Sequence, residues 1–145
     1  MASDAMIYAE IHEVLDYPVE IIWRQVAAFG AIDRWVDGVT GCEMAGDGPG
    51  AVRIVRLGSR LVRERLEQID PAAYRLRYHI LPPHLLPATN IRSEVRLVPL
   101  EAGRTEMVWC SEATGFEVPP DELGARIEIF YRRSIDGLRR LLDRA

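Results

Sequence analysis

PDELGARIEIFYRRSIDGLRRLLDRA, residues 120–145, is the stretch on which the fold turns. Leu123, Ile127, Phe130, Tyr131, Ser134, Leu138, Leu141 and Leu142 recur at helical spacing on one face, while Arg132, Arg133, Asp136, Arg139, Arg140 and Asp143 take the other. The spacing predicts one long amphipathic helix whose apolar stripe must be covered by something large. What precedes it, from residue 41 to residue 113, is almost unbroken β-strand alternation. A curved antiparallel sheet around one helix need not be filled by side chains, and the space left over is where a small-molecule function would sit.

The clearest strands show one wet and one dry face. Over 61–68, Val62, Glu64 and Leu66 oppose Arg63, Arg65 and Glu67; over 74–80, Tyr74, Leu76, Tyr78 and Ile80 oppose Arg75, Arg77 and His79. Over 91–98, Ile91, Ser93, Val95 and Leu97 oppose Arg92, Glu94 and Arg96; over 106–113, Met107, Trp109, Ser111 and Ala113 oppose Val108, Cys110 and Glu112. Further strands are expected at 41–45 and 51–57, joined by the turn Gly46 to Gly50, and at 6–15. Asp16 as cap and Pro18 in the first turn start a helix over 19–29, with Ile22, Trp23, Val26 and Phe29 inward; a second short helical turn follows at 31–35. Short connections make sequence neighbours sheet neighbours. The class is α+β, in the order strand, two short helices, six strands, long helix.

Composition sets the outer bounds. The 145 residues are expected to form a single domain, 1–145, with an ordinary core. A formal charge of -4 lacks the basic footprint of nucleic-acid binding, so no nucleic-acid partner is expected. No apolar run is long enough for a membrane span and the first residues lack signal-peptide character; the expectation is a cytoplasmic protein without integral membrane association. Cys42 and Cys110 are far apart with no second ligand pair, which fits reduced thiols. His12, His79 and His84 have no zinc spacing, so neither a metal nor a cofactor is expected. Ser93 and Ser111 are each followed by a glutamate on the opposite strand face, and no Gly-x-Ser-x-Gly elbow exists. The glycines of 46–50 lead into a strand rather than a helix, which removes the phosphate cradle.

Asp16-Tyr17-Pro18 before Val19 and Trp23, then Phe29, Trp35 and Val39, then Gly46-Asp47-Gly48-Pro49-Gly50-Ala51-Val52-Arg53, then Arg63-Glu64-Arg65-Leu66 and Asp70, resemble the bacterial polyketide cyclase/dehydrase-like branch of the START/Bet v 1-like (SRPBCC) superfamily. The resemblance covers nearly the whole chain. It implies a helix-grip fold, a seven-stranded antiparallel sheet wrapped around the C-terminal helix with a hydrophobic cavity between them. Members of that superfamily share a shape while binding lipids, sterols, hormones or polyketides, and only some are catalysts, so site residues must carry the functional argument.

Glu64 is the first candidate, since it lies between Val62 and Leu66 on the inward face. There a carboxylate loses hydration unless a partner holds it charged. It is either a structural ion pair in the cavity wall or a group that orients a ligand or accepts a proton. Glu64 also matches a ligand-facing glutamate of the abscisic acid receptors, although Thr40 stands where those receptors carry lysine. The loop Leu81-Pro82-Pro83-His84-Leu85-Leu86-Pro87 offers Leu85 to a cavity rim and His84 as an acid or base; its His84-Leu85-Leu86 is similar to the latch of the same receptors. Tyr78, Ser93, Ser111 and Tyr131 can present hydroxyls inside an apolar pocket, or serve as core with satisfied hydroxyls.

The ligand-contacting set read from strand parity is Glu64, Leu66, Tyr78, His84, Leu85, Ile91, Ser93, Val95, Trp109, Ser111, Ile127 and Tyr131. The function expected is binding of a hydrophobic or amphipathic small molecule, lipid-like or polyketide-like. The alternative is an aromatase/cyclase- or dehydratase-type enzyme using Glu64 with His84 or Tyr78 for proton transfer. A third reading is a protein partner or lipid shuttle. Outward Val98 and Val108 leave oligomer formation open.

Overall fold

A computed structural model describes residues 4–83 and 85–145. The chain runs through β1 (Met6–Leu15), α1 (Val19–Ala27), a 3-10 turn (Ile32–Arg34), β2 (Val39–Ala45), β3 (Val52–Leu57), β4 (Arg60–Asp70), β5 (Arg75–Ile80), β6 (Ala88–Thr89), β7 (Ile91–Pro99), β8 (Thr105–Ala113), β9 (Gly115–Phe116) and α2 (Pro120–Asp143). Seven strands form one antiparallel sheet in the order β1-β8-β7-β5-β4-β3-β2, and β6 pairs with β9 apart from it. From β2 to β8 the sheet grows strand by strand, as short hairpin connections dictate. The first strand closes the far edge by pairing with β8.

The long helix packs along β1, and two glycines set how closely. A Cβ on Gly124 would lie 1.9 Å from the carbonyl oxygen of Tyr8, and one on Gly137 would lie 2.3 Å from that of Trp35. Only residues without a side chain let the helix reach the strand and the 3-10 turn at these points. Helix side chains also satisfy the free edge of β1. The Glu10 N–H donates to Glu128 Oε2 at 3.0 Å, and Arg139 Nη2 donates to the Val14 carbonyl at 2.8 Å. An open strand edge is thereby covered rather than offered to another chain.

The inward faces are those read from the alternation. Val62, Leu66, Leu76, Tyr78, Ile91, Val95, Leu97, Met107, Trp109 and Ala113 are buried in one core with Leu123, Tyr131, Ile135 and Leu138 of α2. Four details depart from expectation. The first helix stops at Ala27, so Phe29 reaches the core from a turn. Pro18, not Asp16, holds its cap position, with no side-chain cap bond among the described residues. The second short helix is a 3-10 turn. Val108, expected outward, is buried within the chain.

Candidate functional site

The hairpin between β3 and β4 builds the polar part of the site. Leu57 pairs with Arg60 across a two-residue turn, and counting back along both strands puts Arg53 opposite Glu64. Side chains directly opposite on one face of an antiparallel pair touch. Arg53 Nε donates to Glu64 Oε1 at 2.7 Å, and Nη2 lies 2.7 Å from the same oxygen in the ion pair. Arg53 Nη1 donates to the Phe29 carbonyl at 3.1 Å, which ties the turn after α1 to the sheet. Two rings lie against the guanidinium, whose Cζ is 3.8 Å from the centroid of Phe29 and 4.6 Å from that of Tyr78. Arg53 is 5% exposed. A cation this deep is held by one carboxylate, one carbonyl and two aromatic faces.

Beside this pair the space between sheet and helix is not filled. A cavity of about 300 Å³ is walled by Ile32, Val36, Val39, Val55, Leu57, Val62, Ile80, Trp109, Ile127 and Phe130, with Arg53, Glu64 and Tyr78 as its polar members. Leu85 and Leu86 reach it from the loop after β5 and are half-buried. That loop is pinned at both ends. The Leu81 N–H donates to the Arg63 carbonyl at 2.8 Å, and the Glu117 N–H donates to the Pro87 carbonyl at 2.9 Å. Leu57 of β3 and Ile127 of α2 line the cavity with these two leucines.

Of the residues read from sequence, Glu64, Tyr78, Leu85, Trp109 and Ile127 line the cavity. The other described ones do not, for reasons that strand parity cannot register. Leu66 lies one inward step further along β4, about 7 Å by strand geometry, and borders a groove with Phe29, Met44 and Ile69. Ile91 is fully buried under the helix, and Val95 borders a small void with Trp35 and Leu76. Ser93 and Ser111 satisfy one another: Ser93 Oγ donates to Ser111 Oγ at 3.0 Å, and Ser111 Oγ donates to the Tyr8 hydroxyl at 2.8 Å. Tyr131 lies flat on Trp109 with centroids 4.0 Å apart, so it backs the cavity wall instead of forming it. His84 lies outside the described residues.

Arg53 is the principal residue the sequence reading missed. Both faces of β3 carry an arginine among aliphatics, so alternation alone does not choose between them. Its signal was the two-residue turn, since counting from Leu57 and Arg60 puts a cation opposite Glu64. Phe130 was placed on the apolar face of the helix but not in the cavity, and it points there with Ile127.

The hydroxyl of Tyr78 accepts a hydrogen bond from Trp109 Nε1 at 3.2 Å. Burial, and then the charge of Glu64, push its phenol well above the usual tyrosine range. Tyr131 is raised by burial as well. Phenols so shifted stay protonated at neutral pH, which suits hydrogen bonding and not proton abstraction. Among the described residues no group of histidine, cysteine and carboxylate side chains could hold a metal ion. Nor is any helix among them long and apolar enough to cross a membrane.

A seven-stranded antiparallel sheet gripping a long C-terminal helix, with a cavity between the two, defines a helix-grip protein of the Bet v 1-like, SRPBCC type. The family model for polyketide cyclase / dehydrase and lipid transport matches residues 6–143, and the chain belongs to that family. No curated protein matches the chain. Among solved structures, a Thermobifida fusca protein determined by solution NMR is 26% identical, covering 94% of this chain and 91% of its own, with a TM-score of 0.75. The allergen Ara h 8.0201 is 18% identical, covering 96% of this chain and 99% of its own, with a TM-score of 0.76. The Zhui aromatase/cyclase from Streptomyces sp. R1128 is 17% identical, covering 94% and 90%, with a TM-score of 0.68. The likeness to the last two is one of fold.

Proposed function

We propose that this protein binds a hydrophobic or amphipathic small molecule, lipid-like or polyketide-like, in the cavity between sheet and helix. The observation that carries the reading is an unfilled, largely aliphatic and aromatic space of about 300 Å³ with a single ion pair in its wall. That volume is at the lower end of the usual range for ligand pockets, about 300–1,000 Å³. Affinity comes from removing apolar guest surface from water against Val36, Val55, Val62, Trp109, Ile127 and Phe130. Leu85 and Leu86 at the rim are the residues a guest passes.

Binding is favoured over cyclase or dehydratase chemistry by the state of the candidate proton carriers. Glu64 Oε1 takes a hydrogen bond and an ion-pair contact from Arg53, and the Tyr78 phenol is shifted away from neutral-pH proton transfer. The family description, which includes cyclase and dehydrase, and the fold shared with the Zhui aromatase/cyclase keep the catalytic reading as the alternative.

The test is titration with the neutral fluorophore N-phenyl-1-naphthylamine. Saturable binding to the wild type, reduced at least about tenfold in Ile127→Trp, supports a guest in this cavity, since a tenfold change is the loss of a small part of the apolar contact. Unsaturable signal, or equal binding by the variant, refutes it. Native mass spectrometry of the purified protein would identify a guest carried from the cell.

A further inference from the structure

The wall of the cavity is electrically asymmetric. Arg53 and Glu64 together carry no net charge, but they are not equally placed. The arginine side chain is 6% exposed and the glutamate 13%. The Phe29 and Tyr78 rings lie against the guanidinium, Nε donates to Glu64 Oε1, Nη1 donates to the Phe29 carbonyl, and Nη2 lies 2.7 Å from Oε1 in the ion pair. Both contacts with the glutamate end on Oε1. Among the described residues no group donates to Oε2, and Glu64 lines the cavity. Both side chains line the cavity, and Oε2 is the carboxylate oxygen of the pair that Arg53 leaves open to a guest.

Each charge class of guest fares differently against that oxygen. An acid brings a second negative charge toward Glu64, while the compensating guanidinium is already occupied behind it. An ammonium loses its hydration among aliphatic walls, in exchange for a carboxylate whose charge Arg53 already matches. An ether or ketone oxygen has nothing to offer an acceptor. A hydroxyl loses little hydration and gives Oε2 the one bond it lacks, a charge-assisted hydrogen bond in a site of low dielectric. Resting on the cavity reading above, we infer that the guest selected here is an uncharged molecule whose polar end is a hydrogen-bond donor, an alcohol or phenol, received by Glu64 Oε2.

Three probes of one skeleton test this: 2-naphthol, 2-methoxynaphthalene and 2-naphthoate, titrated at neutral pH into the wild type and into the double variant Arg53→Met/Glu64→Leu. In the wild type, 2-naphthol binds at least about tenfold more tightly than the methoxy compound, the worth of one hydrogen bond to a charged group, and 2-naphthoate binds weakest. In the double variant the naphthol preference over the methoxy compound falls by a similar factor, while methoxynaphthalene still binds. The wild-type ranking tests the inference whether or not the double variant folds. Equal binding of naphthol and methoxynaphthalene, or tightest binding of the acid, overturns the donor assignment and leaves the cavity reading standing. Absence of binding by all three, together with absence of N-phenyl-1-naphthylamine binding, overturns the cavity reading itself.

Discussion

Replacing Glu64 by leucine will destabilise the protein by about 3 kcal/mol, and replacing Arg53 in the same molecule will restore most of the loss. The single substitution removes a hydrogen bond and an ion-pair contact, each at 2.7 Å, from an arginine that is 5% exposed. Removing one partner of a buried pair costs about 3–5 kcal/mol, because an uncompensated charge stays behind. The Phe29 carbonyl and the two ring faces remain, and the adjoining cavity can admit water, which places the cost at the lower end. Arg53→Met leaves a carboxylate that borders the same cavity and hydrates more readily, so about 2 kcal/mol is expected. The double variant exchanges the pair for apolar side chains of similar volume and should lie within about 1 kcal/mol of the wild type. The cycle then returns a coupling of about 4 kcal/mol or more, above the usual range of about 0.5–3 kcal/mol for residues in contact. Urea unfolding at neutral pH with unchanged slope measures each corner. A Glu64→Leu cost below about 1 kcal/mol, or additive singles, would refute the account of a buried and mutually dependent pair.

Gly124→Ala should cost about 2 kcal/mol in thermal unfolding even though alanine is the better helix former by about 1 kcal/mol, because its methyl would lie 1.9 Å from the Tyr8 carbonyl; an unchanged or raised Tm would mean the helix can retreat from β1. Ser111→Ala removes the middle of the Ser93–Ser111–Tyr8 chain and should cost about 1–3 kcal/mol by denaturant unfolding, with a loss under about half a kcal/mol counting against that network. Ile127→Trp should keep its Tm within a few degrees, since the added volume enters open space, while it abolishes probe binding. His12 has its pKa raised by its hydrogen bond to Glu10 and by the charge of Glu106, so the folded state holds the proton more tightly than the unfolded one. That contribution is present below about pH 6.5 and lost as the pH rises through the elevated folded value. With the side chain 49% exposed, solvent screening limits it to about half a kcal/mol. His12→Gln should therefore trail the wild type more at pH ~5.5 than at pH ~8, and a gap that widens toward pH ~8 would reverse the assignment.

The fold was legible because its signals are periodic and long. Four strands with strict alternation and a helical stripe from Leu123 to Leu142 leave few ways to bury both, and the inward faces read from them are the buried ones. What periodicity could not register was close approach. Gly124 and Gly137 look like weak points of a helix, yet they are where the helix meets the carbonyls of Tyr8 and Trp35. The short β6–β9 pair, with two residues in each strand, is below the length at which alternation exists. The candidate site was legible only as a face. Parity puts Ile91, Ser93, Ser111 and Tyr131 on the interior side, but whether an inward residue meets space or another side chain depends on what the facing element brings. Beside Ser93 and Ser111 the neighbouring strand β1 brings Tyr8, and over Trp109 the helix brings the flat ring of Tyr131. Past Ile127 and Phe130 it brings nothing large enough.

That contrast bears on why the ion pair is where it is. A buried Arg–Glu pair is a poor way to stabilise a core, since well-packed apolar replacements are often neutral or better by about 1–4 kcal/mol. Had stability been the requirement at positions 53 and 64, a leucine and a methionine would have met it and closed part of the cavity as well. The remainder of the interior follows that rule, with hydroxyls that satisfy one another and aromatic rings stacked to fill space. Among the described residues, the cavity wall is where an ion pair lies deepest, with side chains 6% and 13% exposed. A residue retained against the stability gradient, and confined to the edge of the unfilled space, is accounted for by what enters that space. Under the function proposed above, the structural and ligand-orienting roles of this glutamate are one arrangement: Arg53 holds Oε1 and leaves Oε2 for a guest.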